Sequence, residues 1–225
     1  MSDAASPDAE LRLQAVAALR RMDGLGLNRG STGNLSVRAT AGGGYWITPT
    51  GMPPEAIGAE DLVWLAADGR VLRGAWAPSS EWPFHGAIYR ARPDLSAVVH
   101  MHSPHATALA CLRRDLPAFH YMVAVAGGDS VPCTPYHLFG TEALSQAVAT
   151  AFGQRQACLM ANHGLVAGGA TLTQAMKVAV EVEALCGIYL QALAVGEPVL
   201  LSAEQMVEVI ERFKSYGQAR RADSG

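Results

Sequence analysis

Short apolar segments bounded by turn residues alternate along this chain with longer segments of helical periodicity. Residues 97–102 are apolar and short enough for a buried strand, and Asp68-Gly69 between two apolar runs is a strong signal for a β-hairpin. Thr171 and Gln174 have the spacing of a capping box that begins a helix. Because strands, hairpins and helices are interspersed throughout, the sequence predicts an α/β fold with a mixed sheet covered by helices on both faces.

Composition limits the class of protein. The 225 residues are 50% hydrophobic, enough for the core of one domain spanning residues 1–225. A net charge of −3 without runs of like charge indicates neither a nucleic-acid nor a membrane-surface partner. The sequence contains no apolar stretch of about 20 residues that would span a membrane. Residues 1–10 lack the pattern of a signal peptide, and the four cysteines are well separated, so we expect a cytoplasmic protein with reduced thiols.

Two histidines stand two residues apart in the apolar run Val98-Val99-His100-Met101-His102. Residues at this spacing on a strand project to the same face, so His100 and His102 point together while Val99 and Met101 point into the packing. Two adjacent imidazoles supply two of the ligands that a divalent metal needs. A hydrogen-bonded pair of histidines is the alternative interpretation.

Two further residues would complete a catalytic metal site. His163 follows a second apolar run, where a loop presents ligands above a sheet, and a third nitrogen would leave zinc an open position. Glu81 follows two serines at a predicted helix start, and near a metal its carboxylate can act as a general base. The alternative role of Glu81 is a favourable interaction with the helix dipole.

Three short loops lack cations and are rich in hydroxyl and amide groups. Together they can bind a phosphate through backbone N–H groups and side-chain donors, although each alone is typical of an ordinary turn. The loops are Thr32-Gly33-Asn34, Thr50-Gly51 and Ser79-Ser80.

The scarcity of lysine bears on the chemistry. Of 17 basic residues only Lys177 and Lys214 are lysines, and both lie in helical segments typical of exposed surface. Cleavage of a bond beside a carbonyl requires an electron sink, either a lysine Schiff base or a metal ion. A metal is therefore favoured for any reaction of this type.

The order of several motifs is similar to that of the class II aldolase/adducin family. The resemblance covers residues 10–217 and, within the family, is closest to the enzymes that act on L-fuculose 1-phosphate. The motifs are Gly33-Asn34-Leu35-Ser36, Thr48-Pro49-Thr50-Gly51, Pro78-Ser79-Ser80-Glu81-Trp82, Val98-Val99-His100-Met101-His102, Phe119-His120-Tyr121-Met122, His163-Gly164 and Phe213-Lys214-Ser215-Tyr216-Gly217.

The resemblance implies a role for each matched position. It implies one zinc ion per subunit, held by His100, His102 and His163, with Glu81 beside it as acid/base and fourth ligand. It implies a phosphate site formed by Asn34, Thr50, Gly51, Ser79 and Ser80. It also implies that Tyr121 serves the aldehyde oxygen in a neighbouring subunit, and that Phe139, Phe213 and Tyr216 form the aldehyde pocket.

The resemblance also implies an overall architecture and reaction. The expected fold is a single three-layer domain whose largely antiparallel sheet lies between helices, with a mobile tail over about residues 213–225. The expected assembly is a C4 homotetramer with active sites between subunits. The expected reaction is reversible cleavage of a ketose 1-phosphate, L-fuculose 1-phosphate or a close analogue, to dihydroxyacetone phosphate and a small aldehyde.

Several alternatives remain open at this point. Aldolases or dehydratases for 5-methylthioribulose or 5-deoxyribulose 1-phosphate share these motifs. Sugar-phosphate epimerases of the fold carry Asp where Glu81 stands, so this residue favours an aldolase. A non-enzymatic adducin-like module would lack the histidines or the glutamate, and a zinc hydratase would not need the phosphate loops. The remaining histidines are predicted to be core residues or to support the ligands rather than to bind the metal themselves; they are His85, His105, His120 and His137. Of these, His105 is best placed to orient a ligand.

Overall fold

The core of the protein is a mixed sheet of eight strands in the order β4-β3-β2-β1-β5-β8-β7-β6. The computed structural model describes the backbone of residues 8–214 and the side chains of residues 8–213. All neighbouring strands in the sheet are antiparallel except β6 and β7, which are parallel, so the predicted largely antiparallel sheet is confirmed. The strands are β1 (Asn34–Arg38), β2 (Tyr45–Ile47), β3 (Val63–Leu65), β4 (Val71–Arg73), β5 (Ala97–Met101), β6 (Cys133–Thr134), β7 (Ala157–Met160) and β8 (Gly164–Gly169).

Six α-helices lie within residues 8–214, and several begin at the caps that the sequence indicates. The Thr171 hydroxyl accepts a hydrogen bond from the backbone N–H of Gln174, and Ser202 and Gln205 bond each other's backbone N–H. Across these residues, none of the helices combines the length and the apolar character required to cross a membrane. The helices are α1 (Ala9–Gly24), α2 (Trp82–Ala91), α3 (Pro104–Cys111), α4 (Glu142–Phe152), α5 (Leu172–Leu193) and α6 (Ala203–Lys214).

Alternate residues of the central strands enter two separate hydrophobic clusters. Val99 and Met101 of β5 pack in the cluster that includes residues of α1, α3 and α5. Val98, which precedes Val99 and projects from the opposite face, packs in the cluster that includes residues of α2 and α4. Because helices cover both faces of the sheet, the predicted three-layer α/β architecture is confirmed.

The position of β5 in the middle of the sheet determines where the predicted site forms. His100 lies directly opposite Asn34 of β1 on one side and Val166 of β8 on the other. Strand β5 ends at Met101, and α3 begins three residues later at Pro104. His102 therefore lies in the short connection where the chain leaves the sheet.

Candidate metal centre

Three imidazoles face one another at the end of β5. The Nε2 atoms of His100 and His102 are 3.0 Å apart, which confirms that the two side chains point to the same side of the strand. The His163 ring centroid lies 4.9 Å from the centroid of each of the other two rings, and the planes are inclined by 76° and 77°. Three rings packed edge to face in this way aim their nitrogens at one point.

The turn between β7 and β8 places His163 in this group. Asn162 has a left-handed backbone conformation, with φ 55°, and its N–H donates to Ala110 O over 3.0 Å. Asparagine is one of the few residues other than glycine that adopt this conformation readily. The turn therefore directs the next side chain, His163, back over the end of the sheet.

Glu81 closes the group from the beginning of α2. Its Oε1 lies 3.1 Å from His163 Nε2, and its Oε2 lies 3.2 Å from His100 Nε2. One ligand atom from each of the four residues, Glu81, His100, His102 and His163, lies within 4.8 Å of the others. We call these four residues the metal cluster.

The donor chemistry of the metal cluster fits a divalent metal. His100 Nδ1 donates to the Leu165 carbonyl over 3.0 Å, so the lone pair of its Nε2 is directed into the cluster. Glu81 Oε1 is buried and, apart from the contact with His163 Nε2, has no polar partner, as expected for an oxygen that binds an ion. Nitrogen and carboxylate donors in these numbers are typical of zinc.

The protonation states of two members agree with this interpretation. Burial, and then the neighbouring rings of His100 and His163, lower the pKa of His102 to about 4, which keeps its ring neutral at pH 7. Burial alone would raise the pKa of Glu81, but attraction to the imidazoles of His100 and His163 outweighs burial and holds that pKa well below its usual range. Glu81 is therefore an ionised carboxylate.

A cavity of about 310 Å³ opens directly above the metal cluster. Glu81, His102 and His163 form part of its wall, and Phe139 forms another part. The three loops predicted to bind phosphate also line it: Thr32, Gly33 and Asn34; Thr50 and Gly51; and Ser79 and Ser80. The other lining residues are Ser31, Pro49, Tyr136, His137 and Asn162. One cavity thus joins the metal cluster to the hydroxyl-rich loops.

Comparison with known proteins decides the family. Residues 14–190 match the family described as "Class II Aldolase and Adducin N-terminal domain". The chain belongs to the class II aldolase and adducin family. It is 48% identical over 207 residues to the 5-methylthioribulose-1-phosphate/5-deoxyribulose-1-phosphate aldolase of Rhodospirillum rubrum, with 92% of each chain covered.

Other members of the class II aldolase and adducin family are nearly as similar. The chain is 46% identical over 209 residues to the L-fuculose phosphate aldolase of Escherichia coli strain K12, covering 92% of this chain and 96% of that protein. Among solved structures, an L-fuculose 1-phosphate aldolase superposes with a TM-score of 0.89 at 38% identity, covering 93% of this chain and 98% of the other. These proteins share the fold over nearly their full length.

The structure separates the residues that the family resemblance assigned to the aldehyde end of the substrate. Phe139 lines the cavity above the metal cluster. Tyr121 and Phe213 instead line a second cavity, between the 3₁₀ helix at Tyr121–Ala126 and α6. Tyr216 and the rest of the predicted tail beyond Lys214 lie outside the described residues. Within one subunit, Tyr121 and Phe139 therefore face different spaces.

Two histidines have partners that sequence reasoning did not identify. His105, expected to orient a ligand, instead donates from Nδ1 to Glu183 Oε1 over 2.9 Å. His85 is fully buried, and its Nε2 lies 2.6 Å from Asn34 Oδ1. The partners are 78 and 51 residues away in the chain, so no local spacing could reveal them.

Replacing Glu183 by Gln is expected to lower the free energy of unfolding by about 1–3 kcal/mol, since buried donors would lose their acceptor. Glu183 on α5 accepts from the backbone N–H groups of His105 and Ala106, at 2.9 and 2.8 Å, and so holds the beginning of α3. A glutamine amide would turn N–H groups towards one of these donors. Urea unfolding of the metal-free protein, followed by circular dichroism, measures the change.

The matched control is Glu181→Gln, which removes a charge two residues earlier on the same helix from a half-buried position. Equal destabilisation by the two substitutions would contradict the role assigned to Glu183.

Proposed function

We propose that this protein is a zinc-dependent class II aldolase that reversibly cleaves a ketose 1-phosphate to dihydroxyacetone phosphate and a small aldehyde. The observation that supports this proposal most directly is one cavity lined both by members of the metal cluster and by the hydroxyl-rich loops. A metal-binding end suits the carbonyl of such a substrate, and a hydroxyl-rich end suits its phosphate. The names of the relatives, all aldolases for sugar phosphates, agree with this reaction.

His100, His102 and His163 would hold the zinc ion, with Glu81 as a fourth ligand while no substrate is bound. Zinc in this position supplies Lewis-acid stabilisation of the negative charge that develops on the substrate carbonyl oxygen as the carbon–carbon bond breaks. Three neutral imidazoles leave the ion most of its positive charge, which suits this role.

Glu81 would transfer the proton at the reacting carbon. In the cleavage direction the C3–C4 bond breaks, its electron pair remains with C3, and the C4 hydroxyl loses its proton as C4 becomes the aldehyde. Glu81 lines the cavity, and its Oε1 would deliver a proton to C3 in this direction. Because the carboxylate is ionised at rest, Glu81 must first take up that proton from water. In synthesis the same oxygen removes that proton.

The loops would bind the phosphate without a cationic side chain. Gly33 has φ 75°, and a Cβ atom there would lie 2.3 Å from the Asn28 side chain, so this turn requires glycine. Ser79 is buried and its hydroxyl oxygen accepts from the N–H of Glu81, leaving its hydrogen to donate. Ser80 and Thr50 are exposed to the cavity and can add hydroxyl donors.

A neighbouring subunit would complete the site. Tyr121 is 51% exposed and lines a cavity other than the one above the metal cluster, so its hydroxyl can serve the C4 oxygen only in another copy of the chain. In line with the family resemblance we propose a homotetramer with C4 symmetry. Across the interface, Tyr121 would accept the C4 hydroxyl proton and pass its own proton to water. Phe139, Phe213 and Tyr216 are proposed to surround the aldehyde.

Two groups of ketose 1-phosphate compete as the natural substrate. L-Fuculose 1-phosphate is favoured by the TM-score of 0.89 to an aldolase for this sugar. The 5-methylthioribulose and 5-deoxyribulose 1-phosphates are favoured by the 48% identity to the Rhodospirillum rubrum enzyme. Both groups would give dihydroxyacetone phosphate, and they differ only in the aldehyde.

A panel of five substrates is expected to identify the aldehyde and the metal dependence together. We expect dihydroxyacetone phosphate to be released from at least one of L-fuculose, L-rhamnulose, D-ribulose, 5-deoxyribulose and 5-methylthioribulose 1-phosphate. Release should stop when a chelator removes the metal and return when zinc is added, because the metal carries the developing charge. A coupled assay with glycerol-phosphate dehydrogenase measures the product.

Release that persists after complete removal of the metal would contradict the metal-dependent mechanism. A zinc-loaded protein that cleaves none of the five substrates would overturn the aldolase proposal and favour an epimerase or a dehydratase of the same family.

A further inference from the structure

Hydrogen bonds connect Glu81 to a series of buried polar side chains behind the metal cluster. Asn34 Nδ2 donates to Glu81 Oε2 over 2.9 Å, and Asn34 Oδ1 lies 2.6 Å from His85 Nε2. The other ring nitrogen of His85, Nδ1, lies 2.7 Å from Ser36 Oγ, which is 2.9 Å from the Tyr89 hydroxyl. We call Asn34, His85, Ser36 and Tyr89 the buried relay, since none of them is more than 5% exposed.

The direction of every bond in the buried relay follows from the carboxylate. An ionised carboxylate only accepts, so Asn34 must present its NH₂ group to Glu81 and its oxygen to His85. His85 Nε2 must then carry the hydrogen and donate. In a neutral ring Nδ1 is consequently an acceptor, which requires Ser36 to donate to it and Tyr89 to donate to Ser36.

Burial keeps the two titratable members of the relay, His85 and Tyr89, in the states that this direction requires. Complete burial is the main factor that lowers the pKa of His85, to about 3, so its ring is neutral at pH 7. Burial raises the pKa of Tyr89, so its hydroxyl keeps the hydrogen that it donates. Each member thus donates towards Glu81, and aligned donors of this kind polarise one another.

We propose that His85 is a positioning residue for Glu81, acting through the side chain of Asn34. By fixing the Asn34 amide, His85 holds Glu81 through Oε2, so that Oε1, which receives no hydrogen bond from the relay, is left to exchange the proton with the substrate. The second N–H of the Asn34 amide remains available to a phosphate in the cavity, which Asn34 also lines. The inference rests on the proposed function, in which Glu81 carries the proton.

Substitution of His85 tests the proposal on the zinc-loaded enzyme. His85→Phe keeps a ring stacked on Phe84, where the centroids are now 4.7 Å apart, but removes both nitrogens. We expect kcat to fall by about 10–100-fold, the usual effect of removing a partner that orients a ligand, with KM and bound zinc unchanged. His85→Gln, which can place an N–H donor near the position of Nε2, should restore part of kcat.

Tyr45→Phe is the matched control. Tyr45 is a second buried tyrosine, 5.1 Å from Tyr89 between ring centroids, and its hydroxyl donates to Trp82 O instead of to the relay. A folded, zinc-loaded His85→Phe enzyme with unchanged kcat would overturn the proposal, as would an equal loss in Tyr45→Phe. Wild-type protein that cleaves no substrate would instead overturn the proposed function.

Nitrogen-15 NMR of the metal-free wild-type protein provides a test that does not depend on activity or on any variant folding. We expect a neutral His85 ring protonated at Nε2 and unprotonated at Nδ1, and a change in the Nδ1 signal in Ser36→Ala. A ring protonated at Nδ1, or protonated at both nitrogens, would overturn the direction of the buried relay and with it the positioning role.

Discussion

Replacing Glu81 by Gln is expected to lower kcat for ketose phosphate cleavage by about 10²–10⁴-fold, the usual contribution of a general acid or base. The amide is similar in shape and can still accept a hydrogen bond from Asn34, but it cannot hold the transferred proton. Zinc should remain bound, because the nitrogens of His100, His102 and His163 are retained. Only the proton-transfer step is removed.

Exchange of the C3 proton of dihydroxyacetone phosphate isolates this step from the unidentified aldehyde. In D₂O the wild-type enzyme is expected to replace one C3 proton by deuterium with no aldehyde present, and proton NMR follows the loss of that signal. Glu81→Gln should show no exchange. Glu142→Gln, at an exposed glutamate in the first turn of α4, is the matched control and should exchange at the wild-type rate.

Undiminished exchange in a zinc-loaded Glu81→Gln enzyme would contradict the role of Glu81. Loss of exchange together with loss of zinc would show that the carboxylate acts chiefly as a ligand.

The part of the site that sequence could predict is the part determined by local spacing. The sequence predicts His100 and His102 two residues apart on one strand, so a common direction was expected from strand geometry. Strand β5 ends at Met101, but the backbone keeps this direction for one more residue, and the Nε2 atoms lie 3.0 Å apart. The beginning of α5 was likewise predictable from local contacts. The Thr171 hydroxyl accepts from Gln174 N–H, and Gln174 Oε1 accepts from the N–H of Ala170, one residue before the cap.

Strands β6 and β8 were not predicted, and β8 shows why close packing defeats a local pattern. Three of its six residues are glycines, which on a sequence scan indicate a turn. In the structure a Cβ atom on Gly164 would lie 2.4 Å from Met101 O, and one on Gly169 would lie 2.5 Å from Ala175 N. These glycines permit close approach by β5 and α5, which only the folded chain reveals.

Helix α4 was also not predicted, although its signal is present. Thr141 caps the helix by accepting from Leu144 N–H, and Leu144, Val148 and Phe152 repeat at intervals of four residues on its buried side. A capping residue followed by this repeat would have been sufficient to predict the helix from the sequence.

Asn34 illustrates the limit for the site itself. Its position after Gly33 indicated a phosphate loop, but its side chain also bonds Glu81, which is 47 residues away, and His85, which is 51 residues away. Pairing across the sheet opposite His100 places Asn34 there. Contacts of this range depend on strand order, so one sequence read locally does not contain them.

His163→Ala is expected to lower zinc affinity by more than about 100-fold and to remove cleavage activity. Loss of a residue that merely orients a ligand already costs about 10–100-fold, and loss of the ligand itself should cost more. His163 is the best ligand to remove, because it lies in a turn and its side chain is 14% exposed, whereas His100 is fully buried between strands. The metal-free fold should therefore tolerate the change.

Thermal unfolding with and without zinc separates lost binding from lost folding. Zinc that binds the folded state should stabilise the wild-type protein by about 4 kcal/mol at a free concentration 1,000 times its Kd. In His163→Ala the same zinc concentration should raise Tm only slightly, while the metal-free Tm stays close to that of the wild type. His105→Gln is the matched control, because that ring bonds Glu183 and lies outside the metal cluster, so its response to zinc should equal that of the wild type. A wild-type response to zinc in His163→Ala would mean that the third imidazole is not a ligand, and zinc would then be held by His100, His102 and Glu81.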